Sequence, residues 1–139
     1  AGMPHLSYMN TSSPGVKYAV RRDGRWHTEL VDTVSRVGYP DRNSIVVDAS
    51  GRPFIGYYDA GVGVLKLARR EAQGWVSEVV YGDGCGFTSS LQIDHGTIWI
   101  SYTDGANGGV KVAYKELAEV GAPPPVQTSA VGRPAEPSR

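Results

Sequence analysis

Three pairs of side chains with the chemistry to hold a sugar recur along the chain. In each pair an aspartate or asparagine follows a tyrosine by two residues: Tyr8 and Asn10, Tyr57 and Asp59, Tyr102 and Asp104. Alternate residues of a β-strand share a face, so each ring and its polar partner would lie side by side. An aromatic platform beside hydrogen-bonding groups is a common way to bind a sugar. These six residues are therefore candidates for ligand binding.

A structural interpretation competes with this one. Aspartate and asparagine side chains start turns by accepting a backbone N–H, and a tyrosine on a strand packs between sheets. The pairs have identical placement in every repeat described below, which is what the construction of a repeated unit requires. We favour the structural interpretation and keep the ligand-binding one open.

The remaining candidates lie in long connectors. If the strands run up and down in sequence, connectors 32–43 and 81–89 emerge at the same end as the hairpin loops that follow the tyrosine-containing strands. Loops carry function more often than strands do. Arg42 and Asp83 therefore join the candidate ligand-binding face.

Metal chemistry has little support in the sequence. The histidines, His5, His27 and His95, belong to different strands and turns and have no ligand spacing, which argues against a transition-metal site. No cofactor is predicted. A calcium ion held by Asp83 and by carbonyl groups of its glycine-rich connector is a hypothesis, and no loop has the ligand spacing of an EF-hand.

β-Strands must position these residues. In the stretch 44–81, alternation together with β-branched and aromatic residues predicts four strands, at 45–48, 54–59, 64–69 and 75–80. The breaks between them are rich in glycine, proline and serine, which suits tight turns between antiparallel neighbours. Four strands linked in this way form a twisted meander sheet.

The flanking segments repeat this pattern. The strand around Lys17 matches the strand around Lys66 at an offset of 49 residues, and the strand around Lys111 follows at an offset of 45. Tryptophan and glutamate recur three residues apart at the first offset, as Trp26 and Glu29 and as Trp75 and Glu78. A period in the high forties with four strands per unit is typical of propeller blades.

The recurring lysines allow two interpretations. They would either line a charged groove for an anionic ligand, or extend their stems over an apolar face and pair with a carboxylate or carbonyl. We favour the second. Ser7, Gly56 and Ser101 are small at one shared position, which predicts that adjacent sheets approach closely there.

A tyrosine-containing strand that ends in Asp or Asn, a hydrophobic-Lys-hydrophobic-Ala strand and Trp-x-x-Glu together resemble the blade repeats of bacterial secreted β-propellers. The nearest group is the sialidase-like, Asp-box-containing superfamily with its lectin-like relatives. The resemblance covers about residues 4–116, and the Asp-box itself is matched only by Asp94, Gly96 and Trp99. It implies an all-β fold of β-propeller type, built from four-stranded antiparallel meander blades, and an extracytoplasmic location that is secreted, periplasmic or at the cell surface.

The same resemblance raises the question of glycoside hydrolysis. A sialidase-type site needs three arginines around a carboxylate, a tyrosine nucleophile backed by glutamate, and an aspartic acid. Of the arginines before residue 121, only Arg36 and Arg42 fall on the candidate face. We therefore expect no catalytic residues, and a hydrolase remains the least favoured alternative.

Length limits the number of blades. Residues 1–120 hold units of roughly 4–43, 44–89 and 90–120, about two and a half to three blades, whereas propellers close with about 4–8. Open sheet edges and an uncovered blade face call for a protein partner. We expect either identical copies that complete a ring or other subunits. A binding or scaffolding module is accordingly favoured over a carbohydrate-binding, lectin-like propeller.

Charge and composition narrow the partners further. The chain has 14 basic and 14 acidic side chains with no basic run, which argues against nucleic acid. No stretch approaches the ~18 apolar residues of a membrane helix. Residues 121–139 are rich in proline, alanine, serine and glycine, a composition typical of a disordered or polyproline tail or linker.

Overall fold

The computed structural model describes residues 2–35, 43–82, 89–105, 107–117 and the strand 127–130. This part of the chain is all-β and forms three antiparallel sheets. The first sheet contains β1 (His5–Asn10), β2 (Gly15–Arg22) and β3 (Arg25–Thr33). The second contains β4 (Asn43–Val47), β5 (Pro53–Asp59), β6 (Val64–Glu71) and β7 (Gly74–Tyr81). The third contains β8 (Ser89–Asp94), β9 (Thr97–Asp104), β10 (Gly109–Glu116) and β11 (Gln127–Ala130).

Each sheet is a meander in which chain neighbours pair antiparallel. The four strands predicted between residues 44 and 81 are confirmed as β4 to β7. Three hairpins turn on two residues, and in two of them, Asp23-Gly24 and His95-Gly96, both loop residues have positive φ. Such turns match the twist of the flanking strands, and the glycines adopt these angles without a steric penalty.

The third sheet contains a strand that the sequence analysis did not predict. β11 pairs with β10 from Lys111 opposite Ala130 to Tyr114 opposite Gln127. It lies in the segment whose composition is typical of a linker. Composition measures what a segment can bury by itself, and it does not register an adjacent strand edge that offers backbone hydrogen bonds.

Two apolar clusters lie between the sheets. Side chains of β2 meet those of β5 between the first and second sheets, chiefly Val16, Tyr18, Val20, Ile55 and Tyr57. The second cluster joins the second and third sheets through Phe54, Leu65, Leu67, Ile98 and Ile100. The second sheet is therefore covered on both faces, and β5 is buried almost throughout its length. Within the described residues, the first and third sheets are each covered on one face only.

Neighbouring sheets approach most closely beside β4. A Cβ added to Gly56 would lie 3.2 Å from Ser44 Oγ and 3.3 Å from Ser89 Oγ. The two serine hydroxyls, on β4 and β8, are 3.3 Å apart and hydrogen bond across the sheets. The prediction that a small residue marks a close approach is confirmed at Gly56.

At the other side of the stack, long side chains bridge the sheets. Trp75 Nε1 on β7 donates to Glu29 Oε2 on β3 at 2.8 Å, and Arg70 Nε lies 2.8 Å from the same oxygen. The sheets are close together beside β4, where short serine side chains are enough for contact. They are farther apart at β3 and β7, where long side chains bridge the gap. Successive sheets are thus arranged as a wedge that is narrow at β4.

Candidate functional site

The structure buries two of the three tyrosine pairs. Tyr57 and Tyr102 lie between sheets, and Asp59 and Asp104 are buried beneath their hairpin loops. None of these four side chains presents a platform to solvent. The third pair, Tyr8 and Asn10, lies on the face of the first sheet that no other described sheet covers.

The polar members of the pairs organise turns. Asp59 Oδ1 accepts the N–H of Gly61 at 3.1 Å. Asp104 Oδ1 accepts the N–H of Asn107 at 3.2 Å, and Asn10 Oδ1 accepts that of Ser12 at the same distance. The turn role that the structural interpretation predicts is confirmed at all three positions.

A partly buried lysine joins the first and second sheets. Lys66 Nζ donates to Asp59 Oδ2 at 3.0 Å and to Asp32 Oδ2 at 3.1 Å, and the Tyr57 hydroxyl donates to the same Asp32 oxygen at 2.5 Å. Burial favours the neutral amine, but the hydrogen bonds to the two carboxylates outweigh it and raise the pKa of Lys66. The cation is therefore held in its charged form between two sheets.

The next lysine repeats this arrangement between the second and third sheets. Lys111 Nζ lies 2.8 Å from Asp104 Oδ2 and donates to the Tyr81 hydroxyl at 2.8 Å. The ammonium is also 4.3 Å from the centre of the Tyr81 ring, within the range of a cation–π contact. The hydrogen bond to Asp104 raises the pKa of Lys111 above its ordinary value. The favoured interpretation of Lys66 and Lys111, an apolar stem with a paired head, is confirmed.

The residues that complete both clusters, Asp32 and Tyr81, were not predicted. Each follows a β-bulge in the last strand of its sheet: Val16 pairs with Asp32 but Lys17 with Leu30, and the register shifts at the equivalent point of the second sheet. The extra residue turns Asp32 towards the second sheet, on the same face as Glu29. Asp32 and Tyr81 are 49 positions apart, so the repeat offset was the signal that could have found them.

An ion pair crosses each interface nearer the other end of the strands. Glu29 of the first sheet pairs with Arg70 of the second at 2.8 Å. Glu78 of the second sheet pairs with Lys115 of the third at 2.6 Å. At each interface, two cations of the later sheet thus form a hydrogen bond or an ion pair with acceptor groups of the earlier sheet.

The first sheet presents the same row of residues on a face that none of the described strands covers. Tyr8 is 39% exposed, whereas its repeat equivalent Tyr57 is 0% exposed. Lys17 forms no ion pair within the described residues, and Asn10 stands where the later sheets have an aspartate. We call this surface the outer face of the first sheet, and it consists of Leu6, Tyr8, Asn10, Lys17, Ala19, Arg21 and Trp26.

The third sheet has an uncovered face of its own. Trp99 and Tyr114 lie side by side on it, with ring centres 5.1 Å apart, and Val110 is exposed at the loop end. Register places Asp94 and Glu116 opposite Thr97 at the other end of the same face. This outer face of the third sheet consists of Asp94, Thr97, Trp99, Val110, Val112, Tyr114 and Glu116.

Two predicted candidates, Arg42 and Asp83, lie outside the described residues. The partial Asp-box match lies on the hairpin between β8 and β9, where Asp94 contacts His95 at 2.7 Å. Among the residues the structure describes, no group of three or more His, Cys, Asp or Glu side chains is placed to hold a metal ion. The same residues contain no helix with the length and apolar character needed to cross a membrane.

Comparison of the chain with known protein families, with characterised proteins and with solved structures found no match.

The Tyr57 phenol makes stability sensitive to alkaline pH. Burial and the hydrogen bond to Asp32 raise its pKa above the ordinary 10.0. Above pH 10 the unfolded chain therefore releases a proton that the folded chain keeps, so the folded state binds more protons and its stability falls as pH rises. In urea titrations at pH 9 and pH 11, we expect the wild type to lose more stability over this interval than Tyr57→Phe.

Tyr8→Phe is the matched control for this experiment, because Tyr8 occupies the same repeat position on an uncovered face. It should keep the wild-type loss of stability between pH 9 and pH 11. Equal losses in the wild type and Tyr57→Phe would contradict the assignment of the alkaline sensitivity to this phenol.

Proposed function

We propose that the three sheets are blades of a β-propeller-type stack, and that the chain is a non-catalytic binding and scaffolding module that docks on protein through its outer faces. One observation carries the proposal. In the row Tyr57, Asp59, Lys66 the tyrosine and the aspartate are buried and the lysine is partly buried beneath the preceding sheet, and the row of the third sheet is covered in the same way. The equivalent row of the first sheet has the same residue types except for Asn10, and its tyrosine, Tyr8, is exposed.

The arrangement of the sheets supports the propeller type. Each is a meander, each stacks face to face on the next in chain order, and the stack is narrow at β4 and wide at β3 and β7. Repeated rotation of a wedge about its narrow side leads to a ring around an axis, which is the arrangement of propeller blades. A stack of three leaves two faces for other sheets.

The environment of the tyrosines and arginines supports a non-catalytic role. Tyr57 is buried and its raised pKa disfavours the phenolate that a nucleophile requires. Arg52 pairs with Asp48 in the turn between β4 and β5 at 3.0 Å, and Arg70 pairs with Glu29 of the first sheet at 2.8 Å. These guanidinium groups are engaged in holding the fold together.

A photo-cross-linker tests the proposal. We expect benzoylphenylalanine at Tyr8 to form a covalent adduct with protein in the cells that produce the chain, because this position lies at the centre of the docking face. The same group at Val62, which is exposed on a hairpin loop, is the control and should give no such adduct. Absence of a protein adduct at Tyr8, or equal adducts at both positions, would contradict the proposed function.

One observation favours glycan recognition as a second candidate. The exposed Trp99 and the partly buried Tyr114 form a pair of rings inclined by 33°, flanked by the polar Gln92 and Glu116 on the same face. Aromatic rings with polar neighbours suit sugar stacking. Oligosaccharide titrations followed by tryptophan fluorescence would reveal a shift that Trp99→Ala abolishes. The scaffolding proposal expects no saturable shift.

A further inference from the structure

We propose that the outer face of the first sheet binds the outer face of the third sheet of a second copy, so that two chains close head to tail. The inference rests on the proposed function and names its partner. Each exposed residue of these faces has an equivalent at the same repeat position inside the stack, and that equivalent shows the environment that docking would provide.

Two positions of β1 that are exposed on the first sheet, those of Leu6 and Tyr8, are buried in the second sheet, where a sheet precedes them. Leu6 is 48% exposed, and its equivalent Ile55 is 0% exposed against the first sheet. Ala19 already has a small side chain like Ala68, which lies in the cluster between the first two sheets. The outer face of the first sheet therefore has the shape of a face that receives a preceding sheet.

The third sheet presents the other half of such an interface. Val110 is 59% exposed, whereas its equivalent Leu65 is 0% exposed against the third sheet. Trp99 occupies the position of the buried Phe54, and Val112 that of Leu67. The face has the shape of one that a following sheet covers.

Charge favours the same pairing. The first outer face carries the cations Lys17 and Arg21, and the four cations at these two positions in the later sheets each reach an acceptor across the interface: Asp32, Glu29, the Tyr81 hydroxyl and Glu78. The third outer face carries the exposed carboxylates of Asp94 and Glu116. Arg21 and Glu116 lie at the same end of their strands, away from the long hairpin loops. Pairing first face with first face would oppose like charges.

Geometry then determines the assembly. A contact between two different faces is heterologous, and it either closes into a ring or continues as a filament. Two copies contain six sheets, a number within the range of about 4–8 blades that closes a propeller. The closed particle contains two identical interfaces and about twice the chain mass of 14.9 kDa.

Complementation between two variants tests this pairing. Leu6→Glu blocks the first outer face, and Val110→Glu blocks the third. Each variant alone should be monomeric by light scattering, because both interfaces of its dimer contain a buried carboxylate without a partner. An equimolar mixture should regain a particle of two chains, because the unmodified third face of one variant meets the unmodified first face of the other.

Leu30→Glu is the matched control. Leu30 is 55% exposed on the first sheet, but its equivalent Val79 stays 56% exposed even where the first sheet covers the second. Docking should therefore leave Leu30 in solvent, and this variant should remain dimeric. If either blocking variant lacks the wild-type circular dichroism spectrum, Tyr8→Glu and Trp99→Glu replace the pair.

Three results would overturn the inference: a monomeric wild type, a single blocking variant that keeps the wild-type mass, or folded variants that fail to complement. The second result indicates a dimer formed through one kind of face only. The proposed function is tested separately by the Tyr8 cross-link. An adduct with a different protein would leave that function standing while removing the second copy as partner.

Discussion

Replacing Leu65 by alanine will lower the free energy of unfolding by about 3 kcal/mol. Leu65 is fully buried in the cluster between the second and third sheets, so truncation removes apolar contacts on both sides and leaves a cavity. The faces of two sheets cannot collapse onto the space independently, because each sheet is fixed by its own backbone hydrogen bonds. Urea unfolding followed by circular dichroism at dilute protein concentration measures the change.

Val110→Ala is the matched control because Val110 holds the same position in the third sheet but is 59% exposed. At dilute concentration its unfolding free energy should stay within about 0.5 kcal/mol of the wild type. At concentrations where copies associate, a loss of stability should appear, because the proposed docking buries Val110. Similar losses for the two variants at low concentration would contradict the arrangement of the sheets.

Most of the fold could be predicted from the sequence because it follows from local signals. Alternation and turn chemistry locate β4 to β7, and the offsets carry the pattern to the other two sheets. The small residue at Gly56 predicts a close approach, which the structure shows. These features depend on residues within one strand or turn, or on the same residue type recurring at one position.

Contacts between sheets could not be predicted in the same way. Glu29 and Asp32 lie three residues apart and would point to opposite faces of a regular strand, yet a bulge places both towards the second sheet. The bulge is a property of the pairing between β2 and β3, and the alternation of residue types within β3 alone gives no information about that pairing. β11 was missed for a related reason, since its stability comes from the edge of β10.

The ligand-binding hypothesis depended on exposure, and exposure depends on what covers a sheet. Tyr8 and Tyr57 have the same residue type and local pattern but opposite environments. The environment of a repeat position therefore depends on the neighbouring sheet. In the first sheet the same position is seen without a preceding sheet among the described residues. This contrast provides a control within the same chain for each buried residue.

Replacing Lys66 by methionine will lower the free energy of unfolding by about 3 kcal/mol. Methionine keeps the apolar stem but removes the ammonium, which leaves Asp59 buried beside Asp32 with no cation between them. The cost combines repulsion between the two carboxylates with the loss of two charge-assisted hydrogen bonds. Because the lysine and Asp32 are each about a fifth exposed, solvent relieves part of the penalty and keeps it at the low end of that for buried pairs. Urea unfolding at pH 7 gives the value.

Lys17→Met separates the inter-sheet cluster from the lysine itself. Lys17 has the same stem and strand position, but Asn10 replaces the aspartate and no sheet supplies a counterpart of Asp32. Its loss should therefore be near zero in the monomer. Adding Asp59→Asn to Lys66→Met should recover part of the stability, because one of the two opposed charges is then neutral. If Lys66→Met and Lys17→Met cost the same, the lysine acts only within its own strand, and the charged contact across the sheets contributes nothing to holding them together.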